Sequence, residues 1–200
     1  NRTIFSGLGI GSGPGFNFNY IDIAQSPDGA SIYATDFSLA AVFKIDTATG
    51  NRTVLTANGF GGVNPGGAAI QNPTGIAVAA NGDVFVKQYQ GGGSILKVDS
   101  NTGVRTLVSG AGAGIGAPLT GFPEGLGIEA DGSLIVATSN GNRILRVDPT
   151  TGARSVASGP GFGAPPVGSG AVISSRAQQF DVAEDGTIYV TEANGSRIWS

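Results

Sequence analysis

The chain has 200 residues, 14 acidic and 11 basic side chains, a formal net charge of −3 and charged residues at only 12%. That balance excludes a surface built for nucleic-acid phosphates, which needs clustered Lys and Arg, and no apolar run reaches the roughly 18 residues of a membrane-crossing helix. Cys, His and Met are all missing, which removes disulfides, thiolate nucleophiles, cysteine zinc sites and histidine acid–base chemistry.

Glycine reaches 35 residues. Because the glycines alternate with patterned apolar segments, they read as turns and loops between strands, not as disorder. The chain starts at Asn1 without an initiator methionine and reads as a processed chain or an excised fragment. Its weakly charged, Cys-free, Gly/Ser/Thr/Asn-rich composition fits an extracellular or periplasmic protein.

In chain order, residues 1–6 come first and share the Asn-Arg-Thr-apolar pattern of Asn51-Arg52-Thr53-Val54. The first full set of strands is predicted at 21–24, 32–35 and 41–46, with a tight turn at Asp28-Gly29 and a fourth strand after Asn51. The second set runs 73–80, 83–87, 94–99 and 104–108, turning at Asn81-Gly82. The third spans 123–128, 134–137, 142–148 and 153–157 around Asp131-Gly132, and the fourth 180–183, 188–191 and 196–199 around Asp185-Gly186. Asn-Gly and Asp-Gly pairs supply the positive φ angles that tight hairpins require. Nothing shows a sustained helical period, so the chain reads as all-β.

A unit repeating at intervals of roughly 50 residues signals a repeat architecture. A twisted four-stranded antiparallel sheet cannot bury both faces alone, and radial stacking of such sheets is the β-propeller solution. The expected fold is one β-propeller domain of four blades, with repeats at about 7–56, 57–108, 109–157 and 158–200. Residues 1–6 would add the strand that closes the last blade. A fragment of a larger propeller is the rival arrangement. A third has residues 1–6 adding to another copy, since contacts that fail to close produce filaments.

Pro73-Thr74-Gly75-Ile76-Ala77-Val78 and Asn140-Gly141-Asn142-Arg143-Ile144 resemble the unit of NHL-repeat and gluconolactonase-like propellers, and the resemblance extends over essentially the whole chain. It implies blade architecture and leaves function open, because such folds host lyases, lactonases and interaction platforms. Streptogramin-lyase-like relatives use a catalytic histidine, and this chain has none. Gluconolactonase-like relatives hold an axial divalent metal with Glu, Asn and Asp. Glu124, in Pro123-Glu124-Gly125, resembles their first ligand.

Aligning the first strands puts Asn19, Thr74, Glu124 and Gln178 at one position, expected near the rim of a central channel. Their oxygens would suit a hard cation such as Ca2+ or a small polar ligand, and the plainer reading is a watered channel mouth. Further along, Asp22 and Asp181 align as axial carboxylates. A close pair would share a cation or push one pKa up; alternatively each caps neighbouring backbone amides. Asp46, Asp99 and Asp148 precede Thr-Gly turns and read as turn-stabilising residues. Arg52, Arg105 and Arg154, one per repeat, read as members of strand-edge ion pairs.

The long Gly/Pro/Ala-rich connections at 7–17, 57–72, 109–122 and 159–176 are the expected recognition surface, since rigid scaffolds present function on loops. Phe16, Phe18, Tyr20, Phe60, Phe122 and Phe162 would place aromatics around it, or would tuck in to seal the loop bases. The reading is a non-enzymatic, extracellular binding or assembly module with a protein or a second copy as partner, without cofactor, nucleic acid or membrane span. The alternatives are a strand-exchange filament subunit and a metal-dependent lactonase-like hydrolase using Glu124, Asp22 and Asp181.

Overall fold

Each Asp-Gly or Asn-Gly pair folds one apolar run back on the next, because its glycine takes a positive φ: +70° at Gly29, +86° at Gly82, +88° at Gly132 and +85° at Gly186. The computed structural model describes residues 3–7, 9–17, 19, 22–119, 125–138, 142–159, 177–183, 185–192 and 198–199. The first sheet orders β1 (Ile23–Gln25), β2 (Ser31–Asp36), β3 (Ala41–Asp46) and β4 (Arg52–Ala57) side by side. The second repeats this with β5 (Pro73–Val78), β6 (Val84–Gln88), β7 (Ser94–Val98) and β8 (Arg105–Ser109). The third has β9 (Leu126–Ile128), β10 (Leu134–Thr138), β11 (Arg143–Val147) and β12 (Arg154–Ser158). A three-stranded sheet follows, of β13 (Ala177–Val182), β14 (Ile188–Glu192) and β15 (Ile198–Trp199).

The strand pairings are antiparallel, and the described residues contain no α-helix, only short 3-10 turns at Phe60–Gly62 and Gln90–Gly92. The all-β expectation is borne out. Of residues 1–6, Asn1 and Arg2 lie outside the described residues, and Thr3 to Ser6 carry no strand assignment. Phe5 and Ser6 lie against the turn at Gly50, where the Ser6 hydroxyl donates to Gly50 O at 2.7 Å.

The chain divides into two compact units, one of residues 1–88 with 96–106, the other of 89–95 with 107–200. In the first, β5 packs on β1 and β2, and Phe43 is wholly buried among Ala34, Ala41, Ile45 and Ala57, flanked by Phe16, Leu39, Val54 and Phe60. In the second, β13 packs on β9 and β10, with Val190 of β14 joining Ile135, Ala137 and Ile144. Strands with both faces covered explain the unbroken burial of Val84–Gln88 and Leu134–Thr138. Each fully buried aliphatic side chain contributes roughly 1.5–3 kcal/mol.

Candidate recognition loops

The connections entering the first three repeats contain no acidic residue. The in-phase arginines therefore find no carboxylate there and turn to neutral oxygens. Arg52 Nε donates to Pro14 O at 2.9 Å, and Nη1 to the Ser6 hydroxyl at 2.7 Å and Ile10 O at 3.0 Å. Arg105 repeats the pattern with Ala68 O at 2.6 Å, the Thr56 hydroxyl at 2.6 Å and Ala57 O at 2.9 Å. Arg154 does so with Ala117 O at 2.7 Å, the Ser109 hydroxyl at 2.6 Å and Ala113 O at 3.1 Å. This corrects the expected strand-edge ion pairs: each arginine pins the loop that enters its own repeat and a hydroxyl just before that loop, which for Arg105 and Arg154 lies at the end of the preceding repeat's fourth strand. Burial holds the Arg105 and Arg154 guanidinium pKa values below their ordinary value.

The main chain tightens the same clasp. Arg52 N donates to Ser12 O and Arg154 N to Ile115 O, both at 2.7 Å, while Ala68 N donates to Arg105 O at 3.0 Å. So close is the approach that a Cβ on Gly13 would overlap Arg52 O, and one on Gly67 would overlap Arg105 O. In the first loop, alternate glycines Gly7, Gly9, Gly11, Gly13 and Gly15, with Phe16 and Arg52, line a cleft of about 350 Å³. Its size falls in the usual range for small-ligand pockets. Phe16 meets the buried Phe43 edge-on at 4.9 Å, and Phe60 flanks the same ring at 6.0 Å. Both are half-buried, so each seals a loop base while keeping part of its ring at the surface. Phe18, Tyr20, Phe122 and Phe162 lie outside the described residues.

Of the expected channel-rim residues, Asn19 is exposed and its amide donates to the Ser38 hydroxyl at 3.1 Å. Thr74 is buried in β5, 3.5 Å from Lys87 O. Glu124 lies outside the described residues, as does the side chain of Gln178 in β13. Asp22 takes two backbone amides, Ile23 N at 2.9 Å and Ile76 N at 3.0 Å, the second tying the approach to β1 onto β5. Burial pushes its carboxyl pKa up, and those two hydrogen bonds pull partly the other way. Asp181, in the other compact unit, is exposed and accepts from Val182 N at 3.0 Å. Among the described residues no group of three or more Asp or Glu side chains is placed to hold a metal ion.

Two buried side chains carry a role that sequence reasoning missed. Asp36 and Gln88 end β2 and β6 at the same repeat position. Asp36 accepts from Asn17 N at 2.7 Å and Leu39 N at 3.0 Å. Gln88 accepts from Gln71 N at 2.8 Å and donates to Ala69 O at 3.3 Å. Each holds the far end of the loop that the arginine clasps at its near end. The signal was a polar residue closing an otherwise apolar strand, in phase in each repeat. Lys87, wholly buried beside Gln88, interrupts the same apolar strand.

No known protein-family profile matches the sequence, and no curated protein matches it. Solved structures do match. Virginiamycin B lyase from Staphylococcus aureus aligns at 17% identity and TM-score 0.61, over 88% of this chain and 50% of that one. An auxiliary nutrient binding protein from Bacteroides ovatus aligns at 19% and 0.62, over 88% and 46%. A chain of a nidogen/laminin complex aligns at 18% and 0.60, over 85% and 54%. These neighbours are β-propellers, and the fold of this chain is of that kind. The chain spans about half the length of the structures it matches.

Proposed function

We propose that this chain is a non-enzymatic binding module of the extracellular or periplasmic space, with the loops entering each repeat as its recognition surface. The observation that carries this reading is the arginine clasp. It gives glycine-rich loops a fixed shape, so the cleft beside Phe16 is formed before any partner arrives, and preformed surfaces bind with less ordering entropy. In this reading the repeats at about 7–56, 57–108, 109–157 and 158–200 are blades of one NHL-type propeller, and residues 1–6 complete the last. Phe5 and Ser6 support that assignment. Phe5 O stands against Gly50 as Leu55 O does against Gly103 and Val108 O against Gly152, and Ser6 meets Arg52 as Thr56 meets Arg105.

The partner is expected to be a protein segment that fits a shallow, glycine-lined cleft. Peptide display on the immobilised chain tests this. Enriched peptides should shift the amide resonances of Gly9, Gly11, Gly13 and Gly15, and should lose affinity on Phe16→Leu, which retains packing against Phe43. Peptides that perturb other residues instead, or ignore Phe16→Leu, would overturn the assignment of the surface.

A further inference from the structure

The third strand of each of the first three repeats carries a cation at one repeated position: Lys44 in β3, Lys97 in β7 and Arg146 in β11. Two of the three are neutralised inside their own sheet. Lys97 Nζ meets Asp83 Oδ2 at 2.6 Å, and Arg146 Nη2 donates to Glu129 Oε1 at 2.6 Å. Lys44 makes no such close pair, its charge instead acting at longer range on the Asp28 carboxylate, whose pKa it helps to lower. Ser31 stands in the first repeat where Asp83 stands in the second, and the ammonium lies over the Tyr33 ring, 5.7 Å from its centroid. Among the described residues it makes no ion pair within 4.0 Å.

Lys44 opens on a cleft of about 300 Å³, between the Asp28-Gly29 and Asn81-Gly82 turns and the turn after β7. Ser31, Ser100 and Asn101 line it with Lys44, and their side-chain hydroxyls and amide make no hydrogen bond among the described residues. Four side-chain donors therefore line one cleft beside the sheet whose equivalent cation lacks the close carboxylate of the other two. Asp28 stands at the rim, accepting from the Ser26 hydroxyl at 2.6 Å and Ala30 N at 3.0 Å through one oxygen. Its second oxygen can accept from hydroxyl groups. We infer that this cleft binds a small hydroxylated carboxylate, a uronic acid being the type, whose carboxylate pairs with Lys44 in the place of the missing internal partner. The site is independent of the loop surface proposed above.

The test is a titration of galacturonate into the isotopically labelled 200-residue chain, with galactose as the neutral counterpart. Galacturonate should shift the amides of Ser31, Ser100 and Asn101, and salt should weaken it by screening the ion pair. Ser31→Asp supplies Lys44 with an internal carboxylate, and Lys44→Met removes the charge while keeping the stem on Tyr33. Each should lower affinity roughly tenfold or more, as loss of a charge-assisted contact does. Unfolding curves should show both variants folded, with Ser31→Asp no less stable than the parent. Absence of shifts, equal binding of galactose, or unchanged affinity in Ser31→Asp would overturn the proposal.

Discussion

Arg105 directs all five of its N–H donors to neutral oxygens: Ala68 O, Ala57 O, the Thr56 hydroxyl and the side-chain oxygens of Asn58 and Asn64. Removing it orphans buried carbonyls as well as breaking charge-assisted bonds. Arg105→Met should cost about 3 kcal/mol, and Arg105→Lys should recover only part, because an ammonium cannot reproduce the planar fork. Urea denaturation measures both, and a loss under about 1 kcal/mol for Arg105→Met would mean the clasp is incidental. The carboxylates divide by sign. The hydroxyl of the threonine three residues on, the largest cause at Asp46, and the amides two and three residues on bond Asp46, Asp99 and Asp148, which lowers their pKa from 3.8. Their stabilisation is complete above 3.8 and is lost as pH falls below it. Asp22 is raised by burial, so the native state holds its proton longer, and stability falls as pH rises from 3.8 through the raised value. Stability followed against pH should show a flatter acid limb in Asp148→Asn and a flatter decline just above 3.8 in Asp22→Asn. The turn aspartates were legible because an Asx turn is local. The arginine contacts were not, because their partners lie 37 to 49 residues away.

At the scale of strands and loops, the repeat made the second sheet readable to within a residue. β5, β6, β7 and β8 begin at Pro73, Val84, Ser94 and Arg105, against expected starts at 73, 83, 94 and 104. The first sheet departs further, with β1 beginning at Ile23 instead of 21. There, side chains replace part of the strand ladder: Asp22 N donates to the Thr35 hydroxyl at 3.0 Å, and the Asp22 carboxylate takes Ile23 N. Loop paths were not readable, because alternating glycines carry no side-chain pattern and take their course from the arginine. Two glycines separate conformational from steric demand. Gly82 and Gly67 share φ near +86° and +87°, but a Cβ on Gly82 meets open space while one on Gly67 would overlap Arg105 O. Gly82→Ala should cost about 1 kcal/mol of backbone strain. Gly67→Ala should cost at least about twice that, since the loop must also move off Arg105. Equal losses in thermal or urea unfolding would show that the loop does not depend on that contact.

For the whole molecule, fold and function were unequally legible. The repeat encodes packing, which recurs in phase and so can be read by comparing its copies. The recognition loops differ between copies: Phe16 and Phe60 converge on Phe43 from unrelated segments, and no spacing rule announces that. Glu124, Phe18, Tyr20, Phe122 and Phe162 fall outside the described residues. The charge pattern carries its own prediction. The ion pairs Lys97–Asp83 and Arg146–Glu129 are partly exposed, and pairs of that kind contribute about 0–1 kcal/mol each. Moderate sodium chloride should therefore leave the urea midpoint nearly unchanged; a marked drop would point to ionic contacts that matter more than these. The clasp also bears on how such a chain can lengthen. The first two repeats each close their fourth strand with the hydroxyl that the next arginine needs, and Arg105 and Arg154, opening the fourth strands of the second and third, read the hydroxyl before them. A duplication of one whole repeat thus inserts a matched donor and acceptor, orphaning neither neighbour. A duplication out of phase strands one of them, so growth of this architecture by whole units is built into a single side-chain contact.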